Sequence, residues 1–165
     1  MLALGIDPGL ATTGYGFVRE NDDGSIESIE FGVISTPPKK PLDQRLLQIY
    51  CRLQELVHLH KPDIGAVEML FFQKNVRTAM AVGQARGVIL LSFAQENVKV
   101  AEYSPLAIKQ AITGYGGASK SQMQHMVRAL LELDDIPRPD DAADALAVAI
   151  CHINSSRMSN MVMES

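Results

Sequence analysis

Leu2-Ala-Leu-Gly-Ile-Asp-Pro-Gly9 is an apolar run that closes on a single acid and a Pro-Gly break. Its first part fits a buried strand, and the strand must end at Pro8-Gly9 because neither residue continues a hydrogen-bonded ladder there. Gly14-Tyr-Gly-Phe-Val-Arg19 and residues 26–34 read as two more strands, joined through Asn21-Asp-Asp-Gly-Ser25, a strong turn sequence. Three consecutive strands with short connections predict an antiparallel meander.

Beyond Pro37-Pro38-Lys-Lys-Pro41, the apolar residues Leu42, Leu46, Leu47, Ile49, Leu53, Leu56 and Val57 recur at helical spacing, and Pro62 bounds that helix. Asp63-Ile-Gly-Ala-Val-Glu68 is a short strand that again closes on an acid. An Ala-rich helix over 75–95, a strand over 98–102, helices over 105–112 and 119–133, and a last helix over about 141–154 complete the order βββαβαβααα. This order predicts an α/β fold: a mixed five-stranded sheet, antiparallel meander plus parallel strands, with helices on both faces. The chain reads as one domain over 1–156, with 157–165 a flexible polar tail.

The chain has 165 residues, 47% of them apolar, which suits one domain with its own core. Its longest apolar run, over 87–94, is far short of the roughly 18 residues of a bilayer span, so no membrane association is expected. The first residues carry no basic stretch and no long apolar block, which points to the cytoplasm. Cys51 and Cys151 provide neither a disulfide framework nor a zinc spacing and read as buried small hydrophobes, and the four histidines receive no metal. A formal charge of −4 argues, as an average, against binding nucleic acid by bulk charge. The distribution says otherwise: residues 74–131 hold seven basic side chains against two acidic, while acids dominate on either side.

Asp7 is the only charge in the first 18 residues and follows a strand that ought to be buried. An acid there is costly unless it is paired or bound to a cation. Glu68 repeats the situation at the end of its own strand. In Asp140-Asp-Ala-Ala-Asp-Ala-Leu-Ala147, Asp141 and Asp144 share one face of the last helix, and Asp144 interrupts an apolar surface. Asp140 reads chiefly as a helix cap. Three elements thus each bring a carboxylate to one end of the sheet, and like charges so close cannot all ionise without a cation. Oxygen-only ligands suit Mg²⁺ or Mn²⁺, and a pair of such ions about 3.5–4 Å apart promotes in-line phosphoryl displacement without a side-chain nucleophile. The residues alone point to metal-dependent phosphodiester hydrolysis.

At these positions the sequence resembles the RuvC family of Holliday-junction resolvases, of the RNase H-like fold. The resemblance rests on Gly5-Ile-Asp-Pro-Gly9 with Thr13-Gly-Tyr-Gly16, Val67-Glu68 with Phe71 and Lys74-Asn75, Gly83-Gln-Ala-Arg-Gly87, the stretch from Lys120 to Arg128, and Asp141-Ala-Ala-Asp-Ala-Leu-Ala147. It implies that Asp7, Glu68, Asp141 and Asp144 are the catalytic, metal-binding tetrad, holding two Mg²⁺ per subunit with Mn²⁺ able to substitute. It further implies a crossover junction endodeoxyribonuclease of homologous recombination and DNA repair. Such a homodimer nicks two strands of like polarity symmetrically across a four-way junction, with a RuvAB-type branch-migration complex as partner. Phe71 is then expected to stack on an unpaired base, Lys109 and Lys120 to contact DNA, and Lys74 and Arg77 to lie near it. The small residues Ala79, Ala81, Gly83, Ala85 and Gly87 suit close approach of a second helix in the dimer.

Two other readings start from the same residues. An actin-like ATPase or sugar kinase also opens with Asp-x-Gly after a strand, but it needs a second nucleotide-binding half that 165 residues do not accommodate. A non-catalytic junction-binding module would gain by losing acids that repel phosphates, and all four are present.

Overall fold

The computed structural model describes residues 1–69 and 76–163. Strands β1 (Leu2–Asp7), β2 (Thr12–Glu20) and β3 (Ile26–Ser35) form the expected meander, followed by α1 (Leu42–His60), β4 (Ile64–Glu68) and α2 (Val76–Gln95). Strand β5 (Lys99–Tyr103) and helices α3 (Pro105–Thr113), α4 (Lys120–Leu130) and α5 (Asp140–Met163) complete the chain. The five strands lie in the order β3-β2-β1-β4-β5; β1 is antiparallel to β2 and parallel to β4, and β4 is parallel to β5. No helix among the described residues is long and apolar enough to cross a membrane.

Two cores sandwich the sheet. Leu4, Ile6, Phe17 and Val67 point to one face, where Ile49 and Leu53 of α1 and Ile89 and Phe93 of α2 cover them. Ala3, Val18 and Ala66 point to the other, under α3, α4 and α5. Side chains alternate across a strand, so Asp7 and Glu68, each one residue beyond an α1/α2-facing residue, belong to the α5 face. Because Ile6 pairs with Val67 in parallel register, these two acids also stand level at adjoining strand ends.

On that face α5 lies almost against the backbone. A Cβ at Gly5 would overlap the Ala145 carbonyl oxygen and stand 2.6 Å from the Ala149 nitrogen; one at Gly14 would overlap the Asp141 carbonyl, and one at Gly16 would press into Leu146. Gly5 and Gly16 are cross-strand partners, and Gly14 is the partner of Asp7. The glycines therefore form a groove along β1 and β2, and the groove sets the height and position of the helix that carries two of the acids.

The structure departs from the sequence reading in places that have physical causes. Helix α5 continues to Met163 rather than stopping near residue 154. Arg157 anchors the extension by donating to Glu20 and to the Gly24 carbonyl of the β2–β3 turn, both at 2.6 Å. Cys151 is buried as expected, but Cys51 is exposed on the outer side of α1, as are Leu42 and Leu47. Ser104 caps α3, and Ser119 with Gln122 forms a reciprocal capping box at the start of α4.

The groove gives a direct stability expectation. Gly5→Ala places a methyl group against helix backbone that cannot rotate away, and is expected to cost about 3 kcal/mol or more. A lowered urea midpoint with an unchanged slope is the measurement that checks it.

Candidate active site

Each acid reaches the site by a local rule. Asp7 and Glu68 are the last residues of parallel strands, and Asp141 and Asp144 lie in the first turns of α5, which enters the groove at Gly14. Burial pushes the Asp7 carboxyl up to about 8, reinforced by the charges of Glu68, Asp144 and Asp141 and opposed by Lys120. Glu68 is raised by burial and then by Asp144, with Lys109 and Lys120 pulling it back. Asp144 is raised by burial and held down by a hydrogen bond from Lys120.

Lys120 lies within this cluster. Its Nζ stands 3.2 Å from Asp144 and 3.3 Å from Asp140. Burial alone would lower its pKa, but the bonds to Asp144 and Asp140 outweigh it and hold the ammonium charged. Asp140 is therefore not primarily a cap: its carboxylate accepts from Gln124 Nε2 at 2.9 Å as well as from Lys120, tying α4 to the start of α5.

The acids open onto two cavities. Glu68 and Asp144 line one of about 220 Å³ together with Lys109, Lys120, Ile108 and Met123. Asp141 lines a second, of about 480 Å³, with Arg45 and the turn after β1. That turn is held firmly: the Thr13 hydroxyl donates to the Gly9 carbonyl at 2.6 Å, and Thr36 binds the Leu10 and Ala11 carbonyls.

Of the other expected site residues, Lys109 faces Glu68 across the first cavity. Phe71 and Lys74 lie outside the described residues, as does the side chain of Arg77. The basic middle third is less free than its composition suggests: Arg86 pairs with Glu102 at 2.6 Å, and Arg128 donates to the Leu133 and Asp134 carbonyls at the end of α4. Sequence reasoning did not find Arg45 or Gln124. Arg45 is one polar residue on an amphipathic helix, and only the one-turn spacing from Lys120 hints at Gln124.

The family model described as crossover junction endodeoxyribonuclease RuvC matches residues 3–152. The chain belongs to the RuvC family. A RuvC from Chloroflexus aurantiacus is 59% identical over 152 residues, which is 92% of each chain. The solved RuvC of Thermus thermophilus is 37% identical and superposes with a TM-score of 0.90 over 96% of this chain and 97% of that one. The same species' RuvC in complex with Holliday junction substrate is 34% identical, with a TM-score of 0.88 over 96% of each chain. The RNase H-like architecture read from the sequence is thus the one found, and the matched span contains Asp7, Glu68, Asp141 and Asp144.

The elevated Asp7 pKa has a measurable consequence for the metal-free protein. Between the ordinary carboxylate value of 3.8 and about 8 the native state binds a proton that the unfolded chain has released. The stabilisation is full below the lower value and is lost as the pH rises through about 8. Asp7→Asn in the presence of a chelator is therefore expected to be more stable than the parent above pH 8, by roughly 1–3 kcal/mol, with the gap closing toward pH 4. Thermal unfolding across that range checks it.

Proposed function

We propose that this chain is a single-domain, structure-selective endonuclease. In this reading it resolves Holliday junctions by paired symmetric nicks in DNA strands of like polarity, during homologous recombination and repair. The observation that carries the reading is the convergence of Asp7, Glu68, Asp141 and Asp144 from three elements onto one end of the sheet, with Asp7 partly buried and raised by the charges of the others.

The donor set fits divalent cations. All four groups are hard oxygen ligands, and the partly buried Asp7 carboxylate, with a pKa of about 8, is one that a cation would relieve of its proton. Among the described residues no group of three or more His, Cys, Asp or Glu side chains is arranged to hold a metal ion. The acids are close enough for Glu68, Asp144 and Asp141 each to raise Asp7, a repulsion that bound divalent cations would relieve. Asp7, Glu68, Asp141 and Asp144 would together hold two Mg²⁺ per subunit, with Mn²⁺ able to substitute. When bound, the ions supply Lewis acidity that activates a water and stabilises the leaving oxygen.

The protein's own groups do the rest. Lys120 offsets the charge of Asp140 and Asp144, and in this reading its ammonium meets a phosphate of the substrate beside Lys109, which lines the same cavity. Phe71 stacking on a base at the crossover, and Lys74 and Arg77 on the flanking backbone, belong to the same reading.

A homodimer suits the near two-fold symmetry of the substrate. Met80 and Leu91 are exposed on α2, and among the described residues nothing lies within 4 Å of a Cβ built at Gly83 or Gly87, while Ala85 is turned into the protein's own core. Residues 80, 83, 87 and 91 share one helical face, the surface we assign to the second subunit. A RuvAB-type branch-migration complex is the further partner, and the cytoplasm the compartment.

With a synthetic four-way junction, cleavage is expected to require Mg²⁺ and to fall at least about 100-fold in Asp7→Asn while junction binding persists. Normal cutting by that variant would refute the assignment. Lys120→Ala should bind more weakly with a shallower salt dependence and an intact fold. Leu91→Glu should run as a monomer in light scattering and yield single nicks in place of paired ones.

A further inference from the structure

Two cavities flank the carboxylate cluster, and only the one holding Lys109 and Lys120 has cationic side chains assigned to substrate. The second, at about 480 Å³, lies within the range of roughly 300–1,000 Å³ in which ligands are held. Its walls are the turn after β1, Ala81 and Val82 of α2, Arg45 of α1, and Asp141.

Arg45 and Asp141 share this cavity, yet among the described residues Arg45 pairs with no carboxylate. The geometry explains why. Arg45 Nε donates to Thr36 Oγ1 at 2.8 Å, and Thr36, itself buried, holds the carbonyls of Leu10 and Ala11. One edge of the guanidinium is thus fixed to the turn that follows Asp7. Among the described residues its two terminal nitrogens donate to nothing. A guanidinium oriented in this way presents a planar fork matched to two oxygens of a phosphate, with little side-chain freedom left to lose on binding.

We propose that Arg45 binds a backbone phosphate of the cleaved strand, adjacent to the scissile phosphodiester and on the side of the carboxylates away from Lys109 and Lys120. The strand is then held on both sides of the bond that breaks, which keeps the scissile phosphate from sliding along the cluster. Because Arg45 is anchored through Thr36 to the turn next to Asp7, the phosphate grip and the carboxylate move as one unit. The inference rests on the nuclease reading above.

The test uses the full chain and a four-way junction, with binding measured over a salt series without Mg²⁺. Cleavage is then measured with Mg²⁺ on junctions carrying one neutral methylphosphonate at successive positions on either side of the cut. Arg45→Gln is expected to reduce the slope of log affinity against log salt by about 0.9, the signature of one lost phosphate contact. At one flanking position the methylphosphonate should slow the parent about tenfold and the variant no further. Thr36→Val, which loses the anchor and keeps the charge, should retain the slope and cut more slowly. Arg45→Lys should likewise keep the slope, and serves as the probe if Arg45→Gln does not fold. An unchanged slope in Arg45→Gln, undiminished methylphosphonate sensitivity at every position, or loss of the slope in Thr36→Val or Arg45→Lys overturns the proposal. If the parent cuts the junction while these tests fail, the nuclease reading stands without Arg45; if the parent does not cut, both fall.

Discussion

Helix α5 rests on strand backbone rather than on side chains, and the arrangement of the site follows from that contact. Gly5, Gly14 and Gly16 remove the Cβ atoms that would otherwise hold the helix off the β1–β2 pair, and Ala145 and Ala149 meet them with the smallest side chains that still favour a helix. The approach brings Asp141 backbone against Gly14, the cross-strand partner of Asp7. Sheet register supplies the other half: parallel pairing of β1 with β4 sets Glu68 level with Asp7 on the same face. Four acids from three separated stretches meet because two packing rules, close helix-on-glycine contact and strand alternation, agree about where that face lies.

The electrostatic cost of this meeting explains the character of the surroundings. Burial and mutual repulsion raise Asp7, Glu68 and Asp144, and a compensating charge comes from Lys120, delivered by the capped first turn of α4. Its ammonium bridges Asp140 and Asp144, so the start of α5 is neutralised from the neighbouring helix. A divalent cation held by these carboxylates would compete with Lys120 for the Asp144 oxygens. The overall charge of −4 is thus no obstacle to a nucleic-acid substrate, since it includes the four clustered carboxylates Asp7, Glu68, Asp141 and Asp144, while residues 74–131 carry a basic excess.

Much of the fold was legible because its signals are local. The Pro-Gly stop after Asp7, the Asn-Asp-Asp-Gly turn and the helical spacing along α1 place element boundaries within a few residues of those observed. The end of α5 was not legible, because Arg157 fixes it through a hydrogen bond to Glu20 at the far end of the chain. Exposure of Cys51 was missed for a similar reason: an apolar pattern identifies a buried face without saying how wide it is. In the site, the acids stood out as charges where burial was expected. Arg45 did not, since an arginine on a surface helix looks the same whether it faces solvent or a cavity.

The sequence by itself determined the strand ends, the helix faces and the chemical nature of the cluster, because these depend on neighbours within a turn or a strand and on charges that apolar surroundings make conspicuous. Tertiary structure alone decided which groups face one another: that Lys120 pairs with Asp144 and Asp140, that Asp140 binds α4 instead of mainly capping α5, that Arg86 is spent on Glu102, and that Arg45 shares a cavity with Asp141. Each depends on the distance and angle between elements far apart in the chain. Those are set by the depth of a glycine groove and the register of parallel strands, which become definite only when the whole sheet is assembled.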